Sequence, residues 1–270
     1  FQQEDYNVFL RKEKIIAALR RSIAERYEGF DVYYQPIMDC ASETMVGAEA
    51  LMRFTMNTEE GMEVISPMEF IPLLEETGLI IPAGRFILKE AAKMCCEILQ
   101  FIPDFQMNIN VSYVQITQGS VEDDIIEVIK KYALDPASIC IEMTESGFID
   151  MTIPFIRFRH KLESNRIHFV IDDFGTGYSN LHCISDMNPD YIKIDRDFTA
   201  KAMDGQRDYE LFKNIITMIH SVNARICVEG IEQREWCQKM KKMGADLLQG
   251  YFYGKPCKKS DFITNYVRGN

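Results

Sequence analysis

The sequence lacks any apolar run of about 18 residues, the length that a membrane-spanning helix requires. Its most hydrophobic region, residues 70–88, is interrupted by prolines, glutamates, glycines and an arginine. No segment resembles a secretory signal. The eight cysteines are scattered and include no C-x-x-C pair, which is typical of reduced thiols. We therefore expect this domain in the cytoplasm, whether the full-length protein is free or anchored in a membrane.

Basic residues are in short supply. The chain has 30 lysines and arginines against 41 aspartates and glutamates, which gives a formal net charge of −11. This balance argues against a protein that follows a nucleic-acid backbone by bulk electrostatic attraction. A substrate that carries phosphate would need metal ions to bring it to such a surface.

What the chain does contain is enough apolar material for one large core. Its 270 residues, 47% of them hydrophobic, match the roughly 250 residues of a single (β/α)8 barrel. We expect residues 30–270 to form this barrel and residues 1–29 to form a charged helix or linker. Because the sequence begins with Phe1 rather than methionine, we also expect it to be part of a longer protein.

Apolar, β-branched and aromatic runs recur along the chain and alternate with amphipathic helical patterns. This alternation predicts an α/β fold, a TIM-like barrel of parallel strands surrounded by helices. Only residues 38–44 separate the first two strands, fewer than the ~10 residues that a parallel crossover needs. The first strand should therefore run antiparallel to the second. The eight predicted strands are 32–37, 45–53, 106–111, 139–142, 168–172, 191–194, 225–228 and 246–249.

Helix starts are also readable. Ser66-Pro67-Met68-Glu69 has the pattern of a capping box with proline at the first helical position. Ser120 opens another helix in a similar way. The remaining helical patterns cover residues 82–101, 154–163, 206–222 and 233–243.

Polar residues interrupt the predicted strands at one end, and active sites of barrels form at the carboxyl ends of strands. Carboxylates gathered there would repel by roughly 4 kcal/mol per close pair at an effective dielectric near 20, so protons or cations must neutralise them. None of the four histidines lies at a strand end, and oxygen ligands alone favour Mg²⁺ or Mn²⁺ over zinc. The interrupting residues are Glu49, Asn110, Glu142, Asp172, Asp173, Lys193, Glu229 and Gln249.

Each of these residues has a simpler explanation when it is taken alone. Asn110 could merely lead into a helix capped by Ser112, Glu142 and Glu145 could be solvated loop charges, and Lys193 could extend to solvent. The Asp172-Asp173 pair could be a turn. Their repetition at one end of successive strands favours a functional site.

The segment 173–178, DFGTGY, suggests either a kinase triplet or a glycine-rich phosphate loop. The chain has no H-R-D loop and no G-x-G-x-x-G sequence that opens a helix, so neither interpretation holds. The two glycines instead predict a tight, mobile loop over the site.

Taken together, these segments resemble the EAL domain family. The matching motifs occur in order between about residues 30 and 256, at the expected intervals. They are Tyr34-Gln35-Pro36-Ile37, Glu49-Ala50-Leu51 with Arg53, Asn110-Val111-Ser112, Glu142-Met143-Thr144-Glu145, Asp172-Asp173-Phe174-Gly175-Thr176-Gly177-Tyr178-Ser179, Lys193-Ile194-Asp195, Glu229-Gly230-Ile231-Glu232 and Gln249-Gly250-Tyr251.

The resemblance implies hydrolysis of cyclic di-GMP to linear 5′-pGpG, with water as the nucleophile and two Mg²⁺ or Mn²⁺ ions. It also implies a homodimer and an upstream regulatory domain, such as a GGDEF or sensor domain. By the resemblance, the first ion would be held by Glu49, Asn110, Glu142 and Asp172, and the second by Asp172, Asp173 and Glu229.

The remaining site residues also take their roles from the resemblance. Lys193 would orient or deprotonate the water, and Glu145 would tether the loop 173–180. Asp195 and Gln249 would order the surroundings. Substrate contacts would come from Gln35, Leu51, Arg53 and Gln249, with Arg53 suited to a phosphate.

Two other functions remain open at this point. One is a receptor module that binds cyclic di-GMP without turning it over. The other is a barrel lyase of the enolase type, which also uses strand-end carboxylates, Mg²⁺ and a lysine. The short first hairpin and the Asp172-Asp173 pair argue against the lyase.

Overall fold

The structure is a computed structural model that describes residues 2–144, 152–175, 184 and 187–268. Its strands close into a barrel, because β1 pairs with β2 on one side and with β9 on the other. The strands are β1 (Phe30–Asp39), β2 (Met45–Thr58), β3 (Gly61–Ile65), β4 (Gln106–Asn110), β5 (Ile139–Thr144), β6 (His168–Phe174), β7 (Tyr191–Ile194), β8 (Arg225–Val228), β9 (Leu247–Leu248) and β10 (Cys257–Lys258).

The eight strands of the barrel are those that the sequence predicts. From β2 through β4 to β9, neighbouring strands are parallel. β1 is antiparallel to both of its barrel neighbours, so the prediction made from the short first connection is confirmed. Strands β3 and β10 lie outside the barrel and were not predicted.

Helices surround the barrel. A 3₁₀ turn (Pro136–Ser138) precedes β5, and a π-helix (Ile263–Val267) ends the described chain. The α-helices are α1 (Gln2–Ala24), α2 (Pro67–Glu76), α3 (Ile80–Ile98), α4 (Tyr113–Gln118), α5 (Val121–Lys131), α6 (Ile153–Ser164), α7 (Arg196–Asp204), α8 (Gln206–Ser221), α9 (Arg234–Met243) and α10 (Lys259–Phe262).

The capping box predicted at the start of α2 is wrong. Pro67 does occupy the first turn, but the Ser66 side chain makes no capping hydrogen bond. The Glu69 carboxylate, which should reach back to Ser66, instead pairs with Arg11 of α1. An ion pair between residues far apart in sequence therefore takes the place of the predicted local hydrogen bond to the Ser66 backbone. Ser120 likewise makes no side-chain cap for α5.

Helix α1 packs against the barrel along its second half. Ile15 and Leu19 have no exposed surface and belong to the main hydrophobic core. Arg11 reaches Glu63 of β3 at 2.9 Å and so connects the helix to the β2–β3 hairpin. That a separate N-terminal segment ends at residue 29 stays a prediction.

Side chains inside the barrel form two layers. The upper layer lies at the carboxyl ends of the parallel strands and comprises Gln35, Glu49, Asn110, Glu142, Asp172, Lys193, Glu229 and Gln249. Two residues further down each strand, about 6.6 Å away, a lower layer fills the barrel. The lower layer is a cluster of buried residues comprising Ile37, Cys140, Val170, Tyr191, Cys227 and Leu247.

Two further features concern the helices and the cysteines. Within the described segments, none of the helices combines the length and the hydropathy that crossing a membrane demands. The cysteines of those segments are free thiols.

Candidate active site

Lys193 lies at the centre of the upper layer and is surrounded by carboxylates. Its Nζ atom is 2.7 Å from Glu229 Oε1, 3.0 Å from Glu49 Oε2, 3.2 Å from Glu142 Oε2 and 3.5 Å from Asp172 Oδ1. The Lys193 side chain is 1% exposed. Strands β2, β5, β6 and β7, with the residue directly after β8, therefore bring five ionisable side chains of the predicted site into one cluster.

Burial and charge oppose each other in this cluster. Burial lowers the pKa of Lys193. The surrounding carboxylates, of which Asp172 has the largest effect, outweigh the effect of burial and raise the pKa of Lys193 well above its usual value. Burial raises the pKa of Glu142 well above its ordinary range, although Lys193 acts in the opposite direction. The pKa of Asp172 is also raised, chiefly by burial. For the same reason the pKa of Glu229 reaches about 8.

Glu49 is the exception. Burial would raise its pKa, but Lys193 and hydrogen bonds from neighbouring amides lower it. Asn110 Nδ2 donates to Glu49 Oε1 at 2.8 Å, and Gln249 Nε2 donates to Glu49 Oε2 at 2.8 Å. Gln249 Nε2 is also 3.1 Å from Gln35 Oε1, which lies opposite Glu49 in the β1–β2 pair. These contacts favour the ionised form of Glu49.

A β-bulge brings the two consecutive aspartates to the same site. Successive residues of a regular strand point to opposite faces, yet carboxylate oxygens of Asp172, Asp173 and Glu229 lie within 4.8 Å of one another. The pairing of β6 with β7 shifts between Ile171 and Phe174, and Asp173 has φ = +56°. This left-handed conformation is uncommon for a residue other than glycine. It keeps Asp173 on the side of the cluster.

The described residues offer two sets of carboxylates that could each hold a metal ion. Oxygens of Glu49, Glu142 and Asp172 form one set, and those of Asp172, Asp173 and Glu229 form the other. Asp172 belongs to both. Burial, with a further contribution from Asp172, raises the pKa of Asp173 to about 6. Acidic oxygens this close favour a hard dication.

The turn after β8 depends on Gly230. This residue has φ = +71°, and a Cβ atom there would lie 2.4 Å from Cβ of Arg196 at the start of α7. Only glycine allows the chain to turn this close to α7 directly after Glu229.

The predicted substrate residues of β2 lie at the edge of the cluster. Leu51, Arg53 and Asn110 line a cavity of about 260 Å³ between the barrel and helices α2 to α4. Arg53 Nη1 donates to the Met52 carbonyl at 2.9 Å, and its guanidinium lies 5.4 Å from the centre of the Tyr33 ring. The other two predicted contacts, Gln35 and Gln249, are buried in the upper layer.

With this geometry in place, the chain can be compared with known proteins. The family model for the EAL domain matches residues 16–256. The chain belongs to the EAL domain family. The match begins inside α1 and ends after β9, and so includes the whole barrel.

Several proteins are similar to this EAL domain. Cyclic di-GMP phosphodiesterase PdeL of Escherichia coli is 30% identical over 247 residues, which cover 91% of this chain and 67% of PdeL. The bifunctional diguanylate cyclase/cyclic di-GMP phosphodiesterase MucR of Pseudomonas aeruginosa is 28% identical over 93% of this chain. The chain spans 33%, 36% and 38% of the length of three curated relatives, MucR among them.

Solved structures agree on the fold. The EAL enzyme Bd1971, in its cAMP- and cyclic-di-GMP-bound form, superposes with a TM-score of 0.86 at 29% identity. That alignment covers 97% of this chain and 69% of Bd1971.

One predicted residue of the EAL domain, Asp195, lies outside the cluster, and another, Glu145, is not among the described residues. Asp195 caps the N-terminus of α7, where its Oδ1 atom accepts from the Asp197 backbone N–H at 2.8 Å. Glu145 lies outside the described residues, as does most of the loop 173–180 that it was predicted to tether. The proposed role of Glu145 stays a prediction.

Sequence reasoning missed Asn108 and Tyr191. Asn108 is 1% exposed, and its Nδ2 atom donates to Glu142 Oε1 at 2.5 Å. The same nitrogen contacts the Tyr191 hydroxyl. One signal was available, since Asn108 precedes Asn110 by two residues and a strand period of two places both side chains on one face.

Proposed function

We propose that this EAL domain hydrolyses cyclic di-GMP to linear 5′-pGpG. The observation that carries the proposal is the cluster of five carboxylates around Lys193 and Asp172 at the carboxyl ends of the strands. PdeL and MucR are named as cyclic di-GMP phosphodiesterases, and solved EAL structures with that ligand bound are similar to this chain. Membership of the EAL family also favours a phosphodiesterase over the lyase considered from the sequence.

The donor set fits two Mg²⁺ or Mn²⁺ ions. Glu49, Glu142 and Asp172 would hold one ion together with the side-chain carbonyl oxygen of Asn110, whose Nδ2 atom donates to Glu49. The other set, Asp172, Asp173 and Glu229, would hold the second ion. The raised pKa values of Asp173 and Glu229 indicate carboxylates that bind either a proton or a cation near neutral pH.

The reaction adds water across one phosphodiester bond. The water oxygen forms a bond to phosphorus, the bond from phosphorus to the 3′ oxygen breaks, and the 3′ oxygen takes a proton. Bound dications supply positive charge that offsets the phosphate charge and makes water easier to deprotonate. The four carboxylates around Lys193 raise its pKa, and dications bound to the same carboxylates would act in the opposite direction. We propose that Lys193 contacts the attacking water and orients or deprotonates it.

Substrate would approach along β2. Arg53 is half-buried at the edge of the carboxylate cluster and faces the 260 Å³ cavity. A guanidinium there suits a phosphate, and the apolar residues beside it, Leu51 and Ile71, suit the flat face of a base.

A turnover assay tests the proposal. The purified domain is incubated with cyclic di-GMP and Mg²⁺ or Mn²⁺, and 5′-pGpG is measured by chromatography. Wild-type protein and Glu235→Gln, which changes an exposed glutamate of α9, should release 5′-pGpG, whereas Glu49→Gln should not. Intact cyclic di-GMP recovered after tight binding, with either ion, would identify a receptor module instead.

We also propose that the full-length protein carries a regulatory domain upstream of the EAL domain. The EAL domain itself is proposed to act in the cytoplasm as a homodimer. Support comes from the greater length of the relatives and from the cyclase named in MucR. Light scattering on this chain during gel filtration tests the dimer, and a single mass near 31.3 kDa would contradict it.

A further inference from the structure

Asn108 and Tyr191 place polar atoms inside the apolar part of the barrel. Tyr191 belongs to the lower layer and is 2% exposed, and Asn108 lies beside that layer at 1% exposure. Their neighbours there are aliphatic side chains and thiols, such as Ile37, Val170 and Cys140. Buried polar groups are destabilising unless they are hydrogen-bonded. The hydrogen-bond partners of Asn108 and Tyr191 therefore indicate the role of these two residues.

The contacts point upward, to Glu142. Asn108 Nδ2 donates to Glu142 Oε1 at 2.5 Å, and the same nitrogen contacts the Tyr191 hydroxyl. The other oxygen of Glu142, Oε2, lies 3.2 Å from Lys193 Nζ. The two oxygens of Glu142 therefore have different partners. Oε1 is held from below by Asn108, while Oε2 faces the carboxylate cluster.

Strand pairing explains how Asn108 reaches Glu142. Asn108 on β4 lies opposite Cys140 on β5, and Asn110 lies opposite Glu142. Both asparagines point into the barrel, so the Asn108 amide lies just below the Glu142 carboxylate. Tyr191 enters from β7 on the far side of β5 and β6, and its side chain packs in the same layer as Cys140.

The amide is used as a donor. Asn108 Oδ1 is buried and makes no hydrogen bond with the described residues, although a buried acceptor without a partner is destabilising. An asparagine present only to fill space could be replaced by leucine without that penalty. The arrangement is therefore better explained if the hydrogen bond from Asn108 Nδ2 serves to orient the Glu142 carboxylate.

We infer that Asn108 is a positioning residue for metal binding and that Tyr191 anchors it. Asn108 fixes the rotation of the Glu142 carboxylate about its Cγ–Cδ bond, which leaves Oε2 for a cation. This inference rests on the proposed function, since Glu142 is proposed there as a metal ligand. Hydrogen bonds to metal ligands typically contribute 10- to 100-fold to metal affinity.

Calorimetric titration of Mn²⁺ into the purified domain tests the inference. Asn108→Leu, which keeps the branched shape and the number of heavy atoms but removes the donor, should bind Mn²⁺ roughly 10- to 100-fold more weakly. Tyr191→Phe loses one hydroxyl and keeps the packing, so its affinity should fall by roughly 2- to 10-fold. Saturating Mn²⁺ should restore much of the turnover of both variants, because the defect lies in binding the ion.

The control is Ile37→Val, which removes one methyl group from the same layer and no hydrogen bond. It should lower the melting temperature and leave Mn²⁺ affinity within twofold of wild type, about the scatter of ΔΔG values for independent sites. Wild-type affinity in Asn108→Leu, or in Tyr191→Phe should Asn108→Leu fail to fold, would overturn the inference and leave the proposed function standing. A wild-type domain that binds no Mn²⁺ would overturn both.

Discussion

The two layers inside the barrel use the same strands for opposite purposes. Cys140, Val170 and Leu247 of the lower layer are buried and apolar, and each lies two residues before an upper-layer residue. Those upper-layer residues, Glu142, Asp172 and Gln249, are equally buried but polar. Burial stabilises the lower layer, whereas it raises the pKa values of Glu142 and Asp172 above. A spacing of two residues thus separates the part of the barrel that stabilises the fold from the part that we propose binds ions.

The sharpest way to separate the layers is to neutralise Asp172, which belongs to both proposed metal sets. Asp172→Asn should reduce turnover at least ~10³-fold, because the ions supply several kcal/mol of charge stabilisation in the transition state. The melting temperature measured in EDTA should stay the same or rise, since a buried like charge is removed. Turnover near the wild-type rate would show that Asp172 is not a ligand.

Removing the central cation should affect both rate and stability. Lys193→Met leaves four carboxylates without their shared ammonium, and turnover should fall roughly 10²- to 10⁴-fold. The free energy of unfolding, measured in urea with EDTA, should fall by roughly 3–5 kcal/mol because buried charge is left unpaired. Added Mn²⁺ should recover much of the stability. The comparison variant is Lys193→Arg, which keeps the charge; equal losses in both variants would argue for a packing role.

For an apolar side chain of the lower layer, which makes no hydrogen bond to the upper layer, the effect should be on stability alone. Leu247→Ala removes a side chain that is 2% exposed, which should lower the free energy of unfolding by roughly 2–5 kcal/mol. Turnover per folded molecule should stay within about threefold of wild type at a temperature where the variant is folded. A large loss of Mn²⁺ affinity in Leu247→Ala would mean that apolar packing in the lower layer also determines ion binding in the upper layer.

The smallest expected effect is on pH dependence. The pKa values of Glu229 and Asp173 are raised to about 8 and about 6, so protons compete with cations below those values. Mn²⁺ affinity should rise with pH up to about 8 and then level off, by at most about tenfold per pH unit for Glu229. Both carboxyl groups have a higher pKa in the folded than in the unfolded protein. Their contribution to the free energy of unfolding is therefore full below the unfolded pKa and is lost as the pH rises through the folded pKa. Titration calorimetry at several pH values measures this, and Glu229→Gln should flatten the part between pH 7 and 8.

Local patterns were sufficient for the barrel and for the polar residues at one end of its strands. Runs of apolar residues marked the eight barrel strands, and the short connection after β1 required an antiparallel hairpin. Strand β3 was missed because it has only five residues and lies outside the barrel, with Met62 and Val64 exposed rather than packed in the core. The cap at Ser66 was wrong because Arg11, 58 residues away from Glu69, competes for the same carboxylate.

The sequence by itself determined the order of the strands, the reversed first strand and the polar residue at nearly every strand end. These features depend on residues that are near one another in the chain, where periodicity and connection length suffice. The grouping of the carboxylates into two sets was implied by the resemblance to the EAL domain family, and only the tertiary structure decided how their side chains reach one another and which other polar groups they meet. The bulge that turns Asp173 toward Glu229, and the reach of Asn108 to Glu142 and Tyr191, follow from barrel closure. Closure sets distances between strands that are far apart in sequence, and no local pattern contains those distances.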